Sequence, residues 1–141
     1  MRPESSGPRL RPEKRPPVTS FEDLIAWQRA RALTRDISAV IESPALERRR
    51  AYRDQLHRAA VSIMSNIAEG FERGSRAEFH HMLSIAKGSA AEVRSLLFVG
   101  MDAGYFPKST FDRLMAQATE VSLVLGGLRA SVGRQRSRPP A

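Results

Sequence analysis

Several features that would assign a chain to a familiar class of protein are missing here. There is no cysteine, which excludes disulfides and thiolate metal sites. The longest apolar runs, residues 96–101 and 121–128, are far shorter than the roughly 18–20 residues that cross a bilayer. No apolar segment follows Met1 as a secretory signal would require. These absences predict a soluble cytoplasmic protein without membrane association.

Charge is unevenly distributed along the chain. The net charge of +8 is made of +3 in residues 1–19, +1 in residues 20–128 and +4 in residues 129–141. The first segment is also rich in proline and the last ends in Pro139 and Pro140, so neither favours regular structure. We predict a disordered leader over residues 1–19, a folded domain over residues 20–132 and a disordered basic tail over residues 133–141.

The middle segment has the apolar periodicity of helices and no alternation typical of strands. Capping boxes at Ser20, Ser75 and Ser109 are predicted to start three of the helices. Another helix, the second along the chain, is predicted over about residues 46–69, with Gly70 in the left-handed position that follows a helix. Four such helices with short connections predict an all-α, antiparallel up-down-up-down four-helix bundle with disordered basic tails. Its central core residues are predicted to be Leu56, Ile63, Leu83 and Leu97.

Two pairs of side chains have the spacing of metal ligands in bundles, Glu78 with His81 and Asp54 with His57. At 100° per residue both pairs fall outside the apolar stripe of their helix, so we predict no metal site. There is no glycine-rich phosphate loop and no grouping of a nucleophile with a base. The sequence therefore predicts no enzyme and no cofactor.

Arginines and small residues mark two candidate surfaces. The candidate nucleic-acid contacts are Arg49, Arg50, Arg53 and Arg58 on the second helix and Arg134, Arg136 and Arg138 in the tail; a merely solvated charged face is the alternative. On the third helix Ser84, Gly88, Ala91 and Ser95 form an outward strip without charge, where Lys and Glu would be usual. We predict that this strip is the contact of a homo-oligomer, although small residues also tolerate exposure.

Two motifs carry a resemblance to a known family. Residues 62–73 contain Ser-x-x-x-Asn-Ile-Ala-Glu-Gly-x-x-Arg, and residues 85–92 contain Ile-Ala-x-Gly-Ser-x-x-Glu. The chain resembles, over residues 21–132, the four-helix-bundle proteins encoded in intervening sequences of bacterial 23S rRNA genes. The resemblance implies a bundle fold, a ring-like pentamer and proximity to nucleic acid, and related bundles act as accessory proteins to reverse transcriptases in diversity-generating retroelements.

The polar members of the first motif, Asn66, Glu69 and Arg73, permit two interpretations. They could bind a ligand, or they could bond within and between helices, which we favour. Taken together, the sequence predicts a non-enzymatic, oligomeric bundle that binds RNA or DNA as an accessory protein, with a reverse transcriptase as a possible partner. The alternative is a purely structural or protein-interaction module that binds no nucleic acid.

Overall fold

The computed structural model describes residues 17–136, with side chains as far as Arg134. In this part of the chain there are four α-helices and no strand. The helices are α1 (Ile25–Ile41), α2 (Arg50–Glu72), α3 (Arg76–Asp102) and α4 (Lys108–Arg136), and short 3-10 turns occupy Phe21–Asp23 and Pro44–Leu46. The predicted all-α, four-helix fold is confirmed.

The capping box at Ser20 closes the first 3-10 turn instead of opening α1. The Asp23 carboxylate accepts hydrogen bonds from the backbone N–H groups of Thr19 and Ser20, at 3.1 and 3.2 Å. These bonds, of which the one from Thr19 has the larger effect, hold the pKa of Asp23 below its usual value. Leu24 is then extended, and α1 begins at Ile25.

The predicted end of the second helix is wrong. Gly70 is a buried residue inside α2, and Gly74, with φ 79°, has the left-handed conformation. The reason is packing, because a Cβ at position 70 would lie 2.6 Å from the Cβ of Met82 on α3. Gly70 lets the two helices approach closely, so α2 continues for a further half turn before the chain reverses.

Of the remaining helix ends, the start of α3 follows the expected chemistry, whereas α4 begins at Lys108, so that Ser109 lies inside its first turn and not at the predicted cap. The Ser75 hydroxyl accepts a hydrogen bond from the Glu78 N–H at 3.2 Å, which caps α3 as predicted. Gly104 has φ 75° just after the end of α3. α4 runs to Arg136, beyond residue 132 where the bundle was predicted to end, because Val132 is buried and keeps this last part of the helix on the core.

Four interhelical contacts define how the helices are arranged. The Thr34 hydroxyl of α1 lies 3.4 Å from the carbonyl of Ala60 in α2. Other bonds join α2 to α3, α3 to α4 and α1 to α4: Ser62 to Ser89, Arg129 to Ser84, and Gln117 to Asp36. Three further contacts join the same helices at a second level: the ring contact of Phe98 with Phe111 and the ion pairs of Arg29 with Glu120 and of Arg53 with Glu42. Together these contacts show that neighbouring helices run antiparallel.

The core is almost entirely aliphatic. Leu56, Ile63, Leu83 and Leu97 are all fully buried, as predicted. Tyr52 is the polar exception, because its hydroxyl donates to the carbonyl of Leu96 at 2.7 Å. Burial raises the pKa of Tyr52 to about 12, so this hydroxyl remains a donor over the whole neutral range.

Candidate nucleic-acid interface

Arginines cluster where α2 begins. Arg48, Arg49 and Arg50 are exposed at this end of the bundle, and Arg58 is exposed two turns further along α2. The Arg49 guanidinium lies 5.4 Å from the ring centre of Tyr105, so it also has a packing contact within the fold. An exposed guanidinium matches a phosphate with two parallel N–H donors, which makes this cluster chemically suited to a polyanion.

Arg53 differs from its neighbours because it is directed into the groove between α1 and α2. Its side chain is 26% exposed and pairs with Glu42 at 3.6 Å, and it also donates to the carbonyl of Glu47 at 3.5 Å. The guanidinium therefore ties α2 to the end of α1. Sequence periodicity placed Arg53 on the outer face of α2. It could not show that Glu42 lies beside Arg53, because the position of Glu42 depends on the turn over Pro44–Leu46 that joins α1 to α2.

The arginines near the C-terminus lie at the other end of the molecule. Arg134 is exposed in the last turn of α4. Arg136 belongs to the same helix, but its side chain and the whole of Arg138 lie outside the described residues. α4 rises about 39 Å between Lys108 and Arg134, and Lys108 is on the same end as the start of α2. The structure thus does not bring the two predicted sets of arginines together.

A groove of about 870 Å³ opens between α1 and α4 at the end of the bundle where α1 begins. Its walls are mainly apolar and include Val18, Leu24 and Leu128. Arg29 and Glu120, which also line it, form an ion pair with each other at 3.3 Å. The charged groups of this groove are therefore matched within the protein and have no arrangement typical of a catalytic site.

The polar residues of the Asn-Ile-Ala-Glu-Gly motif lie at the contact between α2 and α3. The Asn66 amide donates to the carbonyl and hydroxyl of Ser62, at 2.8 and 3.0 Å, and the Ser62 and Ser89 hydroxyls bond across the two helices at 2.9 Å. Glu69 and Arg73 form an ion pair one turn apart, which raises the pKa of Arg73. This geometry favours the structural interpretation of the motif.

The two pairs with metal-ligand spacing have exposed side chains. Asp54, His57, Glu78 and His81 all face solvent, as their helical phase predicted. Among residues 17–136 no three His, Asp or Glu side chains come close enough to hold an ion. None of the helices in that range has the combination of length and hydropathy needed to cross a membrane.

The small residues of α3 lie where the sequence placed them, with one difference. Gly88, Ala91 and Ser95 are exposed, and a Cβ at position 88 would meet nothing within 4 Å. Ser84 is half-buried, because its hydroxyl accepts a hydrogen bond from Arg129 Nε of α4 at 2.7 Å. Three of the four predicted contact residues are thus open to a partner, and Ser84 already belongs to the α3/α4 contact.

Sequence reasoning missed that α4 continues this surface. Leu123 is 72% exposed, and Val99 on α3 is 50% exposed. Two outward strips, which we call together the α3–α4 face, lie on these neighbouring helices: Gly88, Ala91, Ser95 and Val99 on α3, and Ala116, Thr119, Leu123, Gly127 and Ala130 on α4. The exposed Lys87 lies between them, since a Cβ on Gly126 would be 3.6 Å from its Cε. Glu92 marks the edge of this face. The signal was present in the sequence, since the α4 strip lies opposite the apolar stripe of Leu114, Ala118, Val121 and Leu125.

Comparison with known proteins agrees with this fold. No curated protein matches the chain. A crystal structure of a protein of unknown function from the S23 ribosomal protein family of Bacteroides thetaiotaomicron VPI-5482 is similar, with a TM-score of 0.69 and 22% identity. The match covers 74% of this chain and 98% of that one. Residues 22–127 match the family described as 23S rRNA-intervening sequence protein, and the chain belongs to this family.

Proposed function

We propose that this protein is a non-enzymatic accessory bundle of the cytoplasm that assembles into a homo-oligomer and binds RNA or DNA. The observation that carries the proposal is the separation of charge over its surface. The α3–α4 face presents small and apolar side chains, whereas exposed arginines lie on α1 and α2 and cluster where α2 begins.

The α3–α4 face supports self-association. Leu123 projects from α4 and Val99 from α3, and burying one such side chain contributes roughly 2 kcal/mol. Gly88 costs the helix about 1 kcal/mol relative to alanine, a cost that close approach of another helix would offset. In the proposed oligomer Leu123 of one copy packs on Gly88, Ala91 and Ser95 of another, where a Cβ added at Gly88 would meet nothing within 4 Å of its own chain. The resemblance to the family implies a pentamer, which we adopt as the proposed state.

Nucleic-acid binding is supported by the basic segments and by the family. The family description refers to sequences inserted in 23S rRNA, and residues 20–128 have a net charge of only +1, so phosphate binding would depend on Arg48, Arg50, Arg58 and the terminal arginines. A reverse transcriptase is a further proposed partner, since related bundles are accessory proteins to such enzymes.

A protein-interaction module without nucleic-acid binding is the second candidate. It is favoured by the use of Arg53 and Arg49 within the fold, which leaves fewer arginines for phosphate. The tests are the mass of the purified protein by light scattering and its affinity for RNA and DNA at about 50 and 200 mM salt. A binder that neutralises several phosphates loses orders of magnitude in affinity over this range. A monomer that binds neither polymer would contradict the proposal.

A further inference from the structure

Three charged side chains border the small residues of α3. Glu92 and Lys87 are exposed, and Arg94 is half-buried. Glu92 lies about 60° around the helix axis from Ser89, whose hydroxyl bonds to α2. Lys87 Cε would be 3.6 Å from a Cβ on Gly126 of α4, and Arg94 lies only about 20° from Lys87 around the same axis. The small residues of α3 therefore have an acid on their α2 side and two bases, which we call the basic strip, on their α4 side.

These charges are not matched within the fold. Over residues 17–134, no ion pair or side-chain hydrogen bond involves Glu92, Lys87 or Arg94. On the neighbouring helices, Glu69 and Glu120 are already paired with arginines. The Arg94 Nε is buried without a hydrogen-bond partner among these residues, so its charge is less well solvated than that of an exposed arginine. A carboxylate supplied by another molecule would stabilise the basic strip.

The order of these features distinguishes two orientations of one copy on another. In the proposed oligomer Leu123 of one copy packs on the small residues of α3 in the next. The basic strip of the first copy lies beside its own α4, so it then meets either Glu92 or the basic strip of the second copy. The former brings opposite charges together, whereas the latter opposes like charges, which is strongly unfavourable at an interface. The charges therefore favour the orientation in which Arg94 approaches Glu92.

We infer that Arg94 of one copy forms an ion pair with Glu92 of the next, and that this pair determines how the copies are oriented. The inference rests on the proposed self-association and names the residues that direct it. An arginine can bind a carboxylate through two parallel N–H groups, and Lys87 on the same strip adds attraction. Because the contact joins two different surfaces it is heterologous, and a heterologous contact forms a ring when its rotation closes.

The experiment measures the concentration at which the oligomer of the full chain is half dissociated, by light scattering and sedimentation. Glu92→Lys and Arg94→Glu each place like charges in the contact, so each should raise this concentration at least about tenfold. The matched controls are Glu72→Lys and Arg35→Glu, because both residues are exposed and lie outside the α3–α4 face. The controls should change it by less than about twofold.

A charge swap separates an ion pair from two independent effects. The chain with both Glu92→Lys and Arg94→Glu restores opposite charges and should assemble better than either single variant. An equimolar mixture of the single variants should also assemble, because the lysine introduced in one chain meets the glutamate introduced in the other. Residues two positions apart do not face each other on a helix, so this recovery reports a contact between copies. Losses that simply add in the double variant would overturn the inference.

Circular dichroism shows whether the half-buried position of Arg94 tolerates glutamate. If the Arg94→Glu chain does not fold, Arg94→Gln and Glu92→Gln replace the charged changes. For an ion pair, both neutral changes together weaken assembly no more than either alone, since the second removes a partner that is already lost. An additive loss would again contradict the pair.

Failure of the proposed assembly gives a different result. A wild-type chain that stays monomeric at micromolar concentration would overturn both the oligomer and this pair. An oligomer unaffected by Glu92→Lys would keep the assembly and overturn the pair alone. A monomer that binds polyglutamate, and loses this binding on Arg94→Glu, would assign the basic strip to an acidic partner in place of a second copy.

Discussion

The two long sides of the bundle cover the same kind of aliphatic core but differ in the side chains on their outer surfaces. Beneath both lie fully buried aliphatic residues such as Leu56 in α2 and Leu97 in α3. Outside, α1 and α2 expose Arg31, Arg35 and Arg58, whereas the α3–α4 face exposes small and apolar side chains. A helix facing water normally has a charged outer side, so the strips of the α3–α4 face depart from this rule, although Lys87 and Glu92 beside them are charged and exposed.

The largest difference between the two sides is expected when a charge is introduced on each of them in turn. Ala91→Arg puts a guanidinium in the middle of the α3–α4 face, and Ala39→Arg is the matched change on an exposed alanine of α1. We expect Ala91→Arg to reduce the mass by light scattering to that of the 15.7 kDa chain, because the charge would have to be buried without a partner. Gly88→Leu should act in the same direction.

The control Ala39→Arg should leave the oligomer unchanged. A wild-type mass of 15.7 kDa at micromolar concentration would contradict assembly altogether. An oligomer that tolerates Ala91→Arg and Leu123→Arg alike would keep the assembly and place its contact elsewhere.

Cores beneath the two sides should respond equally. Leu56→Ala under the charged side and Leu97→Ala under the uncharged side should each lower the free energy of unfolding by roughly 2–5 kcal/mol, since both leave a cavity in a packed interior. Arg58→Ala on the surface should change it by less than about 0.5 kcal/mol. Urea denaturation measures all three, and a cost below about 1 kcal/mol at either leucine would contradict the packing described above.

Removal of the terminal segments should leave both sides intact. A chain lacking residues 1–16 and 137–141 keeps every buried residue described here, so its melting temperature and the number of chains in its oligomer should be unchanged. Its affinity for RNA should fall, because the removed segments contain six basic residues. A lower melting temperature would show that these segments contribute to stability.

The smallest expected effect concerns the turn before α1. The pKa of Asp23 is lowered in the folded protein. Its contribution to stability is therefore present above the pKa of an aspartate in the unfolded chain, about 3.9, and is lost as the pH falls through the lower folded value. Stability of the wild type relative to Asp23→Asn should therefore shrink below about pH 4. A constant difference between pH 3 and 6 would show that the carboxylate charge has no role in the turn.

The sequence predicted those features of the fold that depend only on residues close together in the chain. The Ser75 cap and the four central core residues are as expected, because capping and helical periodicity depend on neighbouring residues. Gly70 was misassigned because its role is contact with Met82 on another helix. Among the candidate contacts, Arg53 and Ser84 were predicted to face outward, and each instead bonds to a neighbouring element that periodicity does not position.

By itself the sequence determined that the chain forms amphipathic helices with aliphatic cores, that its middle is nearly neutral, and that its basic charge is concentrated near the two termini. Only the tertiary structure decided which outer strips lie on neighbouring helices and which arginines share an end of the bundle. The physical reason is that helix formation and apolar periodicity are set within a few turns of chain. Antiparallel packing of α1 against α4 and of α3 against α4 instead joins residues more than thirty positions apart in the sequence.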